Sequence, residues 1–233
     1  MQSLASHGST SLRSKAALAA LVAQQGVAAD GPALRAVPPL NTGVSCQMNL
    51  DRQIAAFAQL VGSGAIEIYN EFSLQHELGL FLRGDLPNCR VQFERNVSHF
   101  KLVKTSFEKR EIDISVTAVT SGERLSAIEL KYPRNGQVPE SMFGFCKDIA
   151  FLEQLVSSGF QSAYFLAVAD DPLFYSGNSD GIYGLFRGGK PITGTITKPT
   201  GAKDSQVTIR GSYKAKWLPI SAKTMFCLVQ VGS

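Results

Sequence analysis

EIDISVTAVTSGERLSAIELKYP, residues 111–133, decides the fold. Over Glu111–Val119, Ile112, Ile114 and Val116 alternate with Asp113, Ser115 and Thr117, the period of two that marks a half-buried strand. Ser121-Gly122-Glu123 reads as a turn and Leu125–Lys131 as a second strand, so the stretch predicts a hairpin. On that alternation Ile112 and Ile114 face one way and Asp113 the other. Glu129 and Lys131, two apart, share a face of the second strand. Tyr132-Pro133 then ends it just past the lysine, which leaves that face open.

Outward from the hairpin the periods change. Apolar residues at 50, 54, 57, 58 and 61 predict a helix over Leu50–Val61, broken by Gly62-Ser63-Gly64. A second helix is predicted over Glu67–Arg83, with Ile68, Phe72, Leu78 and Phe81 apolar, and Gly84-Asp85 ends it. Asn88–Val97 alternates as a strand. Pro139 opens a long helix to about Ser158, since proline suits a first turn. SAYFLAVA, Ser162–Ala169, is a continuous apolar run, the mark of a strand covered on both faces. Beyond Pro172, the segments Gly181–Arg187, Gln206–Arg210, Tyr213–Trp217 and Met225–Val231 read as strands, with Gly188-Gly189-Lys190 as a hairpin turn. This order predicts an α/β core with a mixed central sheet, helices on its faces and a β-rich C-terminal extension.

Residues 1–49 read as an N-terminal extension ahead of a single domain over 50–233, with a core over 50–175 and a basic, β-rich part over 176–233. Arg13 and Lys15 before AALAALVA, Ala16–Ala23, loosely mimic a secretory signal. The run is short and Ala-rich and ends in Gln24-Gln25, which suits a short helix better; residues 26–45, with Pro38-Pro39, suit a linker. Of the 233 residues 44% are hydrophobic, enough for a core, but no run of about 18 apolar residues suggests a membrane span. Cys46, Cys89, Cys146 and Cys227 lie far apart without a CxxC pair, against a zinc site or a disulfide scaffold and in keeping with a reducing cytoplasm.

Charge is unevenly spread. The net +4 divides into +2 for residues 1–50, −5 for 51–186 and +7 for 187–233. An acidic centre beside a basic flank suits a metal-dependent enzyme acting on a polyanion, with carboxylates for the cation and lysines for the phosphates; a solvated basic surface is the plainer alternative. If the hairpin pairs across Ser121-Gly122, Asp113 comes beside Glu129. Two carboxylates side by side repel unless a cation lies between them, and Mg²⁺ is commonly held by one or two carboxylates with waters and substrate phosphate. Lys131 beside them could orient or deprotonate a water, or stabilise charge on phosphate. These residues point to metal-assisted phosphodiester hydrolysis. The alternative is an edge strand whose exposed face carries Glu129 and Lys131, with Asp113 solvated on its partner.

Asp113, a gap of 15 residues, then Glu129-Leu130-Lys131 resembles the motif of the PD-(D/E)xK nuclease superfamily, and the elements over 67–169 are similar to its restriction-endonuclease-like αβββαβ core. The resemblance covers about residues 50–175. It implies that Asp113 and Glu129 bind Mg²⁺, with Mn²⁺ able to substitute, and that Lys131 is the catalytic lysine. The family often adds a glutamate from the helix before the first core strand, for which Glu77 is the best match and Glu71 the second. Ile112 stands where that family's motif has proline. The likeness extends to bacterial restriction or defence-type endonucleases, and the partner it implies is DNA. Cutting both strands suits a homodimer, though no dimer interface is legible. A catalytically inactive nucleic-acid-binding protein of the same fold is the alternative.

Other residues carry weaker signals. Lys190, Lys198, Lys203, Arg210, Lys214 and Lys216 are the cations expected to hold a nucleic-acid backbone. Tyr213 and Trp217 interleave with lysines, which suits base stacking or strand packing equally. Lys147 and Asp148 read as a solvated helix face that could approach the site. Asp170-Asp171-Pro172 reads as a turn and cap. His7, His76 and His99 are isolated.

Overall fold

The computed structural model describes residues 49–104, 107–134, 136–201 and 204–232. The expected N-terminal helix and linker lie outside the described residues, as does Lys203. Helices α1 (Asp51–Gly62) and α2 (Glu71–Asp85) come first, then strands β1 (Cys89–Asn96), β2 (Glu111–Ala118) and β3 (Arg124–Lys131). Helix α3 (Val138–Ser157) leads to β4 (Ser162–Ala169), and the short helix α4 (Tyr183–Phe186) precedes β5 (Ile192–Thr197), β6 (Gln206–Tyr213), β7 (Lys216–Pro219) and β8 (Met225–Val231).

The expected hairpin forms, with Ile114 opposite Ile128 and Ser115 opposite Ala127. Gly122, at φ +70°, closes it in the left-handed region that glycine adopts at little cost. From β3 the chain crosses by α3 to β4, which lies parallel to β3. A six-stranded mixed sheet results, in the order β1-β2-β3-β4-β8-β7. Every residue of β4 is buried, as its unbroken apolar run requires. On one face Ile114, Val116, Ile128, Leu130, Tyr164 and Leu166 pack with α1 and α2 residues such as Phe57, Leu74 and Leu78. On the other, Ala127, Phe165, Cys227 and Val229 pack with α3 residues including Phe145, Ile149 and Leu152.

Several elements depart from the sequence reading. Helix α2 starts at Glu71 rather than Glu67, because Asn70 caps it: its side chain accepts from the Ser73 N–H at 2.7 Å while Ser73 Oγ accepts from the Asn70 N–H at 3.0 Å. Gly181–Arg187 is not a strand; Ile182 and Phe186 are both buried, and a spacing of four satisfies a helical turn as well as alternation. Gly188-Gly189-Lys190 does not close a hairpin but links α4 to β5, a strand the sequence reading leaves out although Ile192 and Ile196 alternate with Thr193, Thr195 and Thr197. Strand β6 runs on to Tyr213, so Tyr213–Trp217 is split between β6 and β7. Strand β8 pairs with β4, so this C-terminal stretch belongs to the central sheet, while β5 and β6 form a separate two-stranded sheet whose Val207 and Ile209 join the core on the α3 face.

One irregularity shapes the site. Glu94 in β1 has φ +49°, unusual for a residue with a side chain, and the β1–β2 pairing steps from Phe93–Ile114 to Arg95–Ile112 around it. Ile114 packs on the α1–α2 face, whereas Ile112 joins the cluster on the α3 face, so the strict alternation expected over 112–114 is interrupted at Asp113. The Asp113 carbonyl accepts instead from Gln75 Nε2 of α2 at 2.9 Å.

Candidate active site

Glu129 and Lys131 stand at the C-terminal end of β3, beside parallel β4, the end of an open α/β sheet where binding sites gather. Glu129 is fully buried, at 0% exposure, on the face that α3 covers. Asp113 lies next to it across the hairpin. The Asp113 N–H donates to Glu129 Oε1 at 3.4 Å, and Asp113 Oδ2 accepts from the Leu130 N–H at 2.7 Å. A third acid, Asp148, reaches in from α3 at 4% exposure.

Two ammonium groups thread these acids. Lys109, from the loop before β2, donates to Glu129 Oε2 and lies 3.1 Å from Asp148 Oδ1. Lys131 Nζ donates to the Leu130 carbonyl at 2.6 Å and lies 3.6 Å from Asp148 Oδ2. It also lies 3.3 Å from Glu71 Oε1, at the first turn of α2, whose Oε2 accepts from the Tyr132 N–H at 3.3 Å. The four carboxylates of Asp113, Glu129, Asp148 and Glu71 thus face two lysines. Asp148 Oδ2 is buried without a hydrogen-bond partner.

Burial and crowding shift the titrations. Burial, then the charge of Asp113, pushes Glu129 well above the usual carboxylate range against the pull of Lys109. Burial raises Asp113 too, with Lys109 and Lys131 opposing. Burial works against both ammonium groups, but their acids outweigh it: Glu129 ahead of Asp148 and Asp113 for Lys109, and Asp148 ahead of Asp113 and Glu71 for Lys131. Both lysines are therefore held above their ordinary value and stay cationic. Lys131 here is a donor and a positive charge, not a base.

The structure brings Asp113, Glu129 and Lys131 together and leaves Glu77 out. Glu77 faces His76 Nδ1 at 3.5 Å, and Glu71, the second match on that helix, meets Lys131 in its place. Six residues separate them, about 9 Å along the axis and most of the way to the opposite side. Asp148 corrects the reading of a solvated helix face, while Lys147 keeps it. Asp148 had a signal: it stands three residues from both Phe145 and Phe151, on the apolar stripe of α3, where an acid needs partners. Lys109 had none, lying in an irregular loop.

The cations expected to hold nucleic acid stand apart from this cluster. Lys190, Arg210, Lys214 and Lys216 are exposed and Lys198 half-buried, spread over β5, β6, β7 and their loops. Arg210 lines a cleft of about 680 Å³ between residues 101–103 and 107–108, α3 and β6 that contains none of Asp113, Glu129 or Lys131. Tyr213 donates from its hydroxyl to Glu153 at 2.9 Å, and the Trp217 indole donates to the Phe186 carbonyl at 2.9 Å, so both rings pack on the core rather than facing outward as stacking platforms. Asp171 caps the turn at Pro172–Phe174, and Asp170 pairs with Arg134 at 2.6 Å. No helix among the described residues is long and apolar enough to cross a membrane.

Neither a family model nor a curated protein nor a solved structure matches this chain. Its chemistry therefore rests on its own residues. Among the described residues no three His, Cys, Asp or Glu side chains are grouped to hold a metal ion by themselves. Asp113 and Glu129 are two adjoining carboxylates, the kind of donor a hard cation takes with water and substrate oxygens, although Glu129 Oε1 already accepts from the Asp113 N–H and Oε2 from Lys109. Four acids face two lysines, and Asp148 Oδ2, though 3.6 Å from Lys131 Nζ, accepts no hydrogen bond.

Proposed function

We propose that the protein is a Mg²⁺-dependent nuclease that hydrolyses phosphodiester bonds in DNA, on a restriction-endonuclease-like fold of the PD-(D/E)xK type. One observation carries this reading: Asp113 and Glu129 adjoin across paired strands, with Lys131 two residues further along at the mouth of the same buried cluster. Asp113 and Glu129 would hold the cation. When bound, it supplies positive charge against the oxygens of the reacting phosphate. Lys131, held between Glu71 and Asp148, is a cationic donor that would orient an attacking water and stabilise negative charge developing on phosphate. A small cavity of about 60 Å³, lined by Glu71, Phe72, Gln75, Glu94, Asp113 and Leu130, has room for a few waters beside Asp113.

One contact favours the second reading, an inactive nucleic-acid-binding protein: Lys109 already neutralises Glu129 without any metal. The two readings part in one experiment. Plasmid and linear DNA are incubated with and without Mg²⁺ or Mn²⁺, beside Lys131→Ala and Asp113→Ala. Divalent-dependent cleavage that both variants lose supports the nuclease. Cleavage undiminished in both variants sinks it, and DNA binding without cleavage favours the second reading.

A further inference from the structure

We propose that Tyr69 and Phe72 form an aromatic lip that stacks on an unpaired base, so that the substrate at this site is single-stranded or frayed DNA. The proposal rests on the nuclease reading and names its substrate class. Phe72 is 79% exposed and Tyr69 64%, on a chain that buries most of its large apolar side chains. The Phe72 ring lines the same small cavity as Asp113 and Glu71. Glu71, the residue before it, contacts Lys131.

The lip is held in place. The Tyr69 N–H donates to Ser73 Oγ at 2.8 Å, alongside the Asn70–Ser73 cap, so the backbone carrying both aromatics is tied to the first turn of α2. The fold gains nothing evident from a phenylalanine here, since burying such a ring is what would stabilise it. Of the charges at the lip, Glu94 is acidic and Glu71 is already paired with Lys131, so among the described residues no free cation stands there to draw a phosphate. Affinity at this spot therefore has to come from a group with an apolar face. A phosphate at Asp113 brings its own base to the lip, and every base offers a face to an aromatic ring. Inside a duplex those faces are stacked on one another, so a ring at the lip meets one only where the strand is unpaired.

The test uses a single-stranded oligodeoxynucleotide carrying fluorescent aminopurine and the matching duplex, with the wild-type chain, Phe72→Ala, Phe72→Trp and Tyr69→Ala. Binding is read by anisotropy, stacking by aminopurine quenching, cleavage in Mg²⁺ and oligomeric state by light scattering. The proposal expects tighter single-strand than duplex binding and quenching by the wild-type chain. It expects about a tenfold loss of single-strand affinity in Phe72→Ala, a smaller loss in Tyr69→Ala, and recovery in Phe72→Trp. Quenching and affinity unchanged in Phe72→Ala overturn the lip even if cleavage persists, leaving the nuclease reading intact. Aromatic-dependent quenching without cleavage keeps base stacking at the lip and removes the nuclease reading. A dimer that Phe72→Ala dissociates, with quenching unchanged, overturns the proposal and makes this helix face, with exposed Leu80 further along it, a contact between copies.

Discussion

The charges at the end of β3 and those around β5, β6 and β7 obey different rules. In the first group Glu129 and Asp148 are buried, and Lys109, Lys131, Asp113 and Glu71 are fixed around them by ion pairs and hydrogen bonds. In the second, Lys190, Arg210, Lys214 and Lys216 are exposed, and no ion pair ties any of the four to a carboxylate among the described residues. An exposed lysine costs the fold almost nothing and needs no reason beyond solubility. A buried carboxylate costs several kcal/mol unless paired, so a cluster of them with more acids than cations is kept for something other than stability. On the proposed reading the chemistry belongs to the first group and at most backbone attraction to the second.

The sharpest way to break that assignment is at Lys131 and Asp113. Lys131→Ala and Asp113→Ala are expected to lower DNA cleavage by about 10²- to 10⁴-fold with the circular dichroism spectrum preserved. A comparable loss from Lys214→Ala or Arg210→Ala, with Lys131→Ala mild, would exchange the roles of the two groups.

Next in size is the contrast within α2. Glu71→Gln loosens Lys131 and the Tyr132 N–H, and is expected to cost about tenfold in single-turnover cleavage. Glu77→Gln should leave the rate within about twofold, because among the described residues the one ion pair Glu77 makes is with His76. If Glu77→Gln is the damaging change, Lys131 is not positioned by α2 in the way its contacts indicate.

The resemblance ranks Glu77 above Glu71, and there is a physical reason why the sequence could not choose between them. The hairpin is legible because alternation around Ile114, Val116 and Ile128 demands a buried face, and a shift of one residue would turn it outward. Glu129 and Lys131 follow from that register, whereas Asp113 sits where the alternation is interrupted, between Ile112 and Ile114 on opposite faces. The identity of the helix acid does not follow from it, because a helix carries residues around its whole circumference, and which face meets the sheet depends on where Asn70 starts it. Gly79 helps fix that face: a Cβ there would come within 2.0 Å of the Phe93 ring, so α2 lies against β1 at that residue. Lys109 is not legible at all, since a loop has no period. The kink at Glu94 is equally hidden, because nothing in CRVQFERN marks a residue with positive φ.

The basic group yields a smaller effect. Replacing Arg210, Lys214 and Lys216 together by alanine is expected to weaken DNA binding by severalfold at low salt and to flatten its salt dependence. Each phosphate no longer neutralised removes about 0.9 from the logarithmic slope. Unchanged affinity and slope would reduce this surface to solvation and leave the β3 cluster to bind DNA unaided.

The smallest effect concerns whether the acidic cluster costs stability at all. The folded pKa of Asp113 is raised, by burial ahead of its neighbours' opposing charges, so the folded state holds that proton more tightly than the unfolded chain. Stability linked to this group is complete below the unfolded value, about 3.9, and is lost as pH rises through the folded one. Asp113→Asn removes the ionisation while keeping an oxygen to accept from the Leu130 N–H. In a metal-free buffer the variant should therefore melt higher than the wild type at pH 8, by about 2–4 °C for a change of ~1 kcal/mol, and the gap should close toward pH 4. Added Mg²⁺ should raise the wild-type melting temperature and narrow the difference, because a ligand that binds only the folded cluster stabilises it. A variant that melts at or below the wild type at pH 8 would mean that Lys109 and Lys131 already offset the cluster's cost, and the buried acids would then need no cation to account for them.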